Sequence, residues 1–329
     1  MASIRQRAGK WQARITRKGY PQEVKSFSSR ADAARWAREV ELAMDRGSFH
    51  GVGDADRIPL RELMNRYLLQ VTPTKRGAKD EAIRLRALQR TRLASFTLET
   101  LTVSEIAAFR DQRLTTVRAG AVIRDLSLLS SVINHSRREW GAAAENPCAL
   151  IRKPRAPKGR SRLLTHEEQA RLLHALAPTG RRNPLMQPLV MLALETAMRR
   201  GELLALQWRH VDLNQRVALL EITKNGESRA VPLSSRATEV LASLQTRQTG
   251  DARVFPIQAA SVHAAFRRAC ARAGVSDLRF HDLRHCAATR MADKLTNVLE
   301  LSAVTGHRTI QMLKRYYHPS ASALAAKLG

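Results

Sequence analysis

Cysteine is scarce: Cys148, Cys270 and Cys286 are the only three in 329 residues, far apart and without a CxxC pair or histidine-rich neighbours. That spacing gives no disulfide framework and no thiolate metal site, and it fits a reducing compartment. No apolar run approaches the roughly 20 residues of a membrane span, and the opening residues Met1 to Arg7 lack the apolar stretch of a signal peptide. The expectation is a cytoplasmic protein that stays with the chromosome and has no membrane partner. Acidic residues are also few: 29 Asp and Glu face 56 Lys and Arg, a formal net charge of +27. Such a field favours a polyanion, nucleic acid first, with a solvated or ribosome-associated basic protein as the competing reading. No clear acidic cluster stands beside the basic motifs to hold two divalent ions, so metal-dependent chemistry is not expected. Internal repeats and low-complexity tracts are absent as well.

What is present reads as two or three domains. In residues 10–16, Trp11, Ala13 and Ile15 alternate with Gln12, Arg14 and Thr16, the period of a half-buried strand. Turn chemistry follows at Lys18-Gly19-Tyr20-Pro21, then a strand from Val24 to Phe27. A helix opened by Ser29 and Asp32 carries Ala33, Trp36, Ala37, Val40 and Met44 inward. A short sheet backed by one helix and bearing Arg5, Arg7, Arg14, Lys18 and Lys25 is shaped to lay its polar face in a major groove. A solvated sheet face is the alternative.

From Pro59 the pattern turns helical, with helices expected near 59–70, 79–92, 104–115 and 119–140. In the last of these Leu126, Leu129 and Ile133 form an apolar stripe while Arg124, Arg137 and Arg138 point outward. Residues 151–162 break this with two prolines, a glycine and six basic side chains, Lys153, Arg155 and Lys158 among them. They read as a linker able to follow a phosphate backbone, or as an ordinary exposed loop. Thr165 to Glu168 form a capping box. A long helix runs from Leu185 to Arg199, a strand from Val217 to Ile222, and Asn225-Gly226 favours a tight hairpin with Lys224 near its tip. After Asp251 helices are expected near 260–273, 281–293, 297–304, 309–317 and 320–328.

One constellation carries chemistry. A phosphodiester attacked in line gathers charge on its non-bridging oxygens, and planar guanidiniums match that geometry, so Arg199 and Arg284 are the candidates to hold it. His281, three residues before Arg284, shares its helix face. A tyrosine nucleophile must lose a proton held with a pKa near ~10, which makes His281 the candidate base. Lys224 can return a proton to the leaving oxygen, and His307 can donate to a non-bridging oxygen. Glu202 is spaced to hold a guanidinium. Tyr316 and Tyr317 are neighbours on one helix, facing about 100° apart, and spacing alone does not choose between them.

These residues resemble the tyrosine recombinase family, the phage integrases and their relatives, over nearly the whole chain. Met198-Arg199-Arg200-Gly201-Glu202-Leu203 looks like the first-arginine motif, His281-Asp282-Leu283-Arg284-His285 like the HxxR box, and Thr305-Gly306-His307 like the late histidine. Tyr316-Tyr317-His318 looks like the Tyr-x-His ending, and the nine-residue step from His307 selects Tyr316. Lys224 falls where the family places its hairpin lysine.

The resemblance implies a multidomain, mainly α fold with small β-sheets. Residues 1–50 would be an arm-site DNA-binding domain of three strands and a helix, and 58–150 a helical core-binding domain. Residues 151–162 would be a basic linker and 163–329 a mixed α+β catalytic domain. It also implies a 3′-phosphotyrosyl intermediate, no metal or other cofactor, and double-stranded DNA with core-type and arm-type sites. Four protomers would act on two sites, with a DNA-bending or directionality factor as a further partner. The tail from Pro319 to Gly329, with Leu324 and Leu328 on one face, would dock onto a neighbouring subunit or fold back on its own core. The catalytic half is similar to shufflon-type invertases, which leaves integration and inversion both open. A non-catalytic DNA-binding regulator and a relaxing topoisomerase are the rival readings.

Overall fold

The computed structural model describes residues 2–20, 22–46, 54–157, 159–221, 228–245, 250–295, 297–307, 309–317 and 321–329. The described chain is mainly helical, with two three-stranded antiparallel sheets in the orders β1-β2-β3 and β4-β5-β6. It divides into two compact units, 1–158 and 159–329.

In the first unit β1 (Ala2–Arg7), β2 (Lys10–Ile15) and β3 (Glu23–Phe27) form a sheet packed on α1 (Arg30–Asp45). Ser29 caps α1 by accepting the Asp32 N–H at 3.1 Å. Ala13 and Ile15 are fully buried against Ala33 and Ala37. Directly paired residues share a sheet face, so the pairs Ser3–Arg14, Arg5–Gln12 and Arg7–Lys10 place Arg5, Arg7 and Arg14 together on the open face. Lys25 is a correction to the expected basic row. It pairs with Ala13, whose side chain points to the helix, so Lys25 lies on the opposite face of the outer strand. Lys18 sits exposed in the turn between β2 and β3.

Four longer helices follow: α2 (Leu60–Gln70), α3 (Ala78–Leu88), α4 (Val103–Thr116) and α5 (Ala119–Glu139). The stripe Val122, Leu126, Leu129 and Ile133 on α5 is buried among Leu60, Leu63, Leu85 and Ile106, which leaves Arg124 and Arg137 exposed. The expected helix to residue 92 stops at Leu88, because Thr91 turns both its N–H and its hydroxyl onto the Leu88 carbonyl at 3.0 and 2.7 Å. On the other side of α5, buried Asp125 accepts from Arg84 at 2.6 Å and from Arg113 at 3.1 Å, tying α3 and α4 to α5. Lys153 and Arg155 are exposed, and Lys158 lies outside the described residues.

The second unit surrounds a core made by α6 (His166–Leu176), α7 (Met186–Thr196), α8 (Arg200–Ala205), α9 (Ser235–Leu244), α10 (Ala259–Arg272) and α11 (Phe280–Lys294). The sheet β4 (Val211–Asp212), β5 (Val217–Leu220) and β6 (Arg229–Pro232) packs Ala218, Leu220 and Val231 into it. α12 (Val298–Thr305), α13 (Ile310–Leu313) and α14 (Ala321–Leu328) complete the chain. A separate small core joins Ala288 and Ala292 of α11 to Leu301, Leu313 and Tyr316. The hairpin residues Lys224, Asn225 and Gly226, the strand end Ile222, and the tail residues His318 and Pro319 lie outside the described residues. No helix among the described residues is long and apolar enough to cross a membrane.

Asp125→Asn removes the charge that two guanidiniums share, and it is expected to destabilise the chain by about 2 kcal/mol. Urea unfolding checks this; an unchanged midpoint would contradict it.

Candidate active site

The site is built from the starts and ends of helices. α11 opens at Arg279, whose backbone N–H donates to Asp282 at 2.9 Å. Asp282 is buried, and Arg160 grips it with Nε at 3.2 Å and Nη2 at 2.9 Å. Burial works against the charge, but the Arg160 and Arg279 hydrogen bonds outweigh it and hold the carboxyl below its ordinary range. The first turn of α11 is thereby fixed, and the next turn aims Arg284 inward. Arg162 pairs likewise with Glu168. These two arginines of the expected phosphate-tracking segment are thus committed to carboxylates.

Arg284 is 4% exposed, and among the described residues no carboxylate is hydrogen-bonded to its guanidinium. It donates through Nη1 to the Ala197 carbonyl and through Nη2 to the Thr305 carbonyl at 2.6 Å. Those carbonyls stand at the C-terminal ends of α7 and α12, where helices leave acceptors unpaired and present partial negative charge. Burial first, then the neighbouring Arg199, pulls Arg284 down to about 10, so it stays cationic at neutral pH. Ala197 adopts the left-handed conformation with φ 52°, which costs an alanine about 1 kcal/mol. This break replaces the continuous helix expected from Leu185 to Arg199, and it puts Arg199 at the N-cap of α8.

Arg199 donates through Nη1 to Glu202 at 2.7 Å, through its backbone N–H to Glu202 at 2.8 Å, and through Nη2 to the Gly306 carbonyl at 3.3 Å. Glu202 is also held by Arg229, with Nη1 at 3.1 Å and Nη2 at 2.9 Å. Burial opposes this carboxylate, yet the bonds from Arg229 and Arg199 prevail and lower its pKa. Gly306 caps α12 at φ 67°, and a Cβ there would come within 2.8 Å of Arg229 Nη1. Both conditions favour glycine.

Tyr316 is 4% exposed and Tyr317 only half-buried, so the burial of the pair falls on Tyr316. The helix expected over 309–317 ends at Leu313, whose carbonyl accepts the Tyr316 N–H at 2.9 Å in a tight turn. The Tyr316 ring lies 5.3 Å from His307 and 5.4 Å from His285, centroid to centroid. Its hydroxyl pKa is raised by burial, against the pull of Arg284 and Arg315, so the phenol is protonated at neutral pH. His307 accepts an Arg284 Nη2 contact at 3.3 Å, and burial with Arg284 and Arg199 pushes its pKa down to about 3. His281 stands one turn before His285, 5.6 Å between ring centroids, and lines an open cleft of about 610 Å³ with Arg199, Arg200 and His263.

Arg199, Arg284, His307 and Tyr316 therefore converge, His281 joins Arg199 at the cleft, and Lys224 lies outside the described residues. Sequence reasoning missed Arg160, Arg229, His285, Thr305 and Arg315. His285 was recoverable, being four residues from His281 on a helix. The partners of Arg160 and Arg229 are too distant in sequence to read.

The depressed Glu202 carboxyl contributes stability that is fully present above its unfolded value of 4.5 and is lost as pH falls through the folded value. Glu202→Gln removes that contribution. Between about pH 6 and about pH 3.5 the urea midpoint of the variant is expected to fall less than that of the wild type; equal falls would contradict the assignment.

Residues 162–323 match the Phage integrase family. The chain is 40% identical over 281 residues to a shufflon-specific DNA recombinase of Escherichia coli, covering 83% of this chain and 72% of that protein. It is 35% identical over 329 residues to a putative integrase/recombinase of Haemophilus influenzae, covering 97% and 87%. Its fold matches the Tn1549 transposon integrase (residues 82–397) in complex with circular intermediate DNA, with a TM-score of 0.66, 16% identity, and 83% and 99% of the two chains covered. It also matches a lambda integrase tetramer bound to a Holliday junction, with a TM-score of 0.63, 21% identity, and 93% and 95% covered. With its helix-end arginines, buried tyrosine and relatives of 40% and 35% identity, the chain belongs to the phage integrase family of tyrosine recombinases.

Proposed function

We propose that this protein is a site-specific DNA recombinase that cuts and rejoins strands through a 3′-phosphotyrosyl bond at Tyr316. The observation that carries the reading is a buried tyrosine beside two guanidiniums, Arg199 and Arg284, whose other N–H groups are already held by Glu202 and by helix-end carbonyls. Fixed donors of this kind stabilise charge as it builds on a phosphate without reorganising first. Tyr316 Oη attacks phosphorus, and its proton passes to His281. The P–O5′ bond breaks and Lys224 protonates the leaving oxygen. The freed 5′-hydroxyl of a partner strand then reverses the step, so the bond energy is kept in the protein link.

Double-stranded DNA is the substrate, contacted by the catalytic domain (163–329) and the helical domain (58–150), with Arg124, Arg137, Lys153, Arg155 and Lys158 on phosphates. The N-terminal sheet domain (1–50) reads arm-type sites through Arg5, Arg7 and Arg14, with Lys18 at its turn. The protein acts in the bacterial cytoplasm, four protomers on two sites, with integration or excision of a mobile element as the outcome. Inversion is the second reading, favoured by the 40% identity to a shufflon-specific recombinase. Direct repeats in the DNA flanking the gene would accord with integration, inverted repeats with inversion.

On a nicked duplex carrying those repeats, wild-type protein is expected to trap a covalent complex and Tyr316→Phe none, in EDTA as in magnesium; a trapped Tyr316→Phe complex, or loss in EDTA restored by magnesium, would contradict the reading. The exposed end of α14 at Leu328 is available to a neighbouring subunit. Deleting residues 320–329 is expected to weaken pairing of two sites more than binding to one, as read by gel shift; equal loss of both would contradict it.

A further inference from the structure

A second group of arginines in the catalytic unit is held as Arg284 is, by a helix-end carbonyl. Arg272, the last residue of α10, donates through Nη2 to the Ala175 carbonyl at 2.8 Å, and Arg182, in the loop between α6 and α7, donates through Nη1 to the same oxygen at 3.4 Å. Ala175 lies in the last turn of α6, where a helix leaves carbonyls unpaired and presents partial negative charge. These two arginines, with Arg181 and Arg268, line a cavity of about 350 Å³. Among the described residues no carboxylate lines it, and neither Arg181 nor Arg268 has a hydrogen bond or ion pair. An adjoining hollow shares Arg182 and Arg272 and adds His174 and Arg171, whose Nε donates to the Ala273 carbonyl just past α10 at 3.1 Å. Cations gathered without a counter-charge repel one another, and a bound anion relieves that repulsion.

The place of the cavity on α10 indicates which anion. Ser261, Ala265, Arg268 and Arg272 line it at steps of four, three and four residues, a single stripe along the helix. His263 of the same helix lines the cleft of Arg199 and His281 instead, and it points about 140° around the axis from Arg268. One flank of α10 therefore faces the catalytic cleft and the other faces the arginine cavity. A helix with its side chains is about 10–12 Å across, and the two phosphate backbones that edge a major groove stand about 12 Å apart. We propose that Arg181, Arg182, Arg268 and Arg272 form a second phosphate site, which takes backbone phosphates of the duplex across α10 from the scissile one. The Ala175 carbonyl presets Arg182 and Arg272, so little ordering is left for binding. Contacts of this kind set register and affinity and carry no sequence information. They hold the duplex astride α10 while the cleft works on the other backbone.

The choice of DNA as ligand rests on the recombinase reading, but the test reads binding and not cleavage, so the two fail separately. The full chain carrying both Arg181→Gln and Arg268→Gln loses two charges and no hydrogen bond of the free protein. Its binding to a fluorescein-labelled, uncut duplex bearing one flanking repeat is compared with wild type over a range of salt. Each phosphate contact adds about 0.9 to the steepness of log affinity against log salt, so the slope is expected to shrink by about 2 and the affinity at about 150 mM salt to fall about tenfold. Arg209→Gln removes an arginine already paired with Asp251 at 2.7 Å, and it is expected to keep the wild-type slope. The urea midpoint of the double variant at low salt is expected to equal or exceed that of wild type, because repulsion is relieved. An unchanged slope overturns the site even where the duplex is cleaved normally, and weakened retention of poly-glutamate beside that unchanged slope assigns the cavity to an acidic protein instead. A slope lowered as much by Arg209→Gln, or a midpoint that falls with the affinity, overturns it as well.

Discussion

A buried guanidinium held by backbone carbonyls is the constraint on which this site depends. Arg284 would be costly in a protein interior unless its charge met fixed partial charges of opposite sign. It meets them in the Ala197 and Thr305 carbonyls, the ends of two helices that converge from sequence positions more than a hundred residues apart. A carboxylate in their place would neutralise the arginine and weaken its pull on a phosphate. Backbone carbonyls hold it and leave its full charge in the site. The left-handed turn at Ala197, the early end of α7 and the glycine after Thr305 all follow from bringing those two helix ends to one point.

The second arginine is handled differently. Arg199 is partly exposed and shares Glu202 with Arg229, so one carboxylate serves two cations and the group retains a net positive charge. The site therefore has a rigid floor at Arg284 and a more open wall at Arg199, beside the cleft that His281 also lines. Burial raises the Tyr316 pKa while nearby arginines oppose it. A bound phosphate would offset part of that positive field, so proton removal from the phenol depends on a base rather than on the cations alone.

Much of this was legible from residue order. The strand period at Trp11, Ala13 and Ile15, the α5 stripe, the capping box at Thr165 and the motif residues around Arg199, Arg284, His307 and Tyr316 are local patterns, and local patterns survive in a linear reading. What was not legible depends on tertiary placement. Lys25 shifted face because β3 pairs with β2 in a register that composition does not reveal. Arg160 reads as a phosphate contact until the fold brings Asp282 to it. His285 was not singled out in the linear reading; the packing of the turn after Leu313 sets it against the tyrosine.

The central claim is that Tyr316 Oη, within this cradle, becomes esterified to a DNA strand. Mass spectrometry of a stalled, protease-digested reaction tests it most directly. The account predicts a nucleotide adduct on the peptide containing Tyr316, localised to that side chain. An adduct localised to Tyr317, or to any other residue, would contradict it.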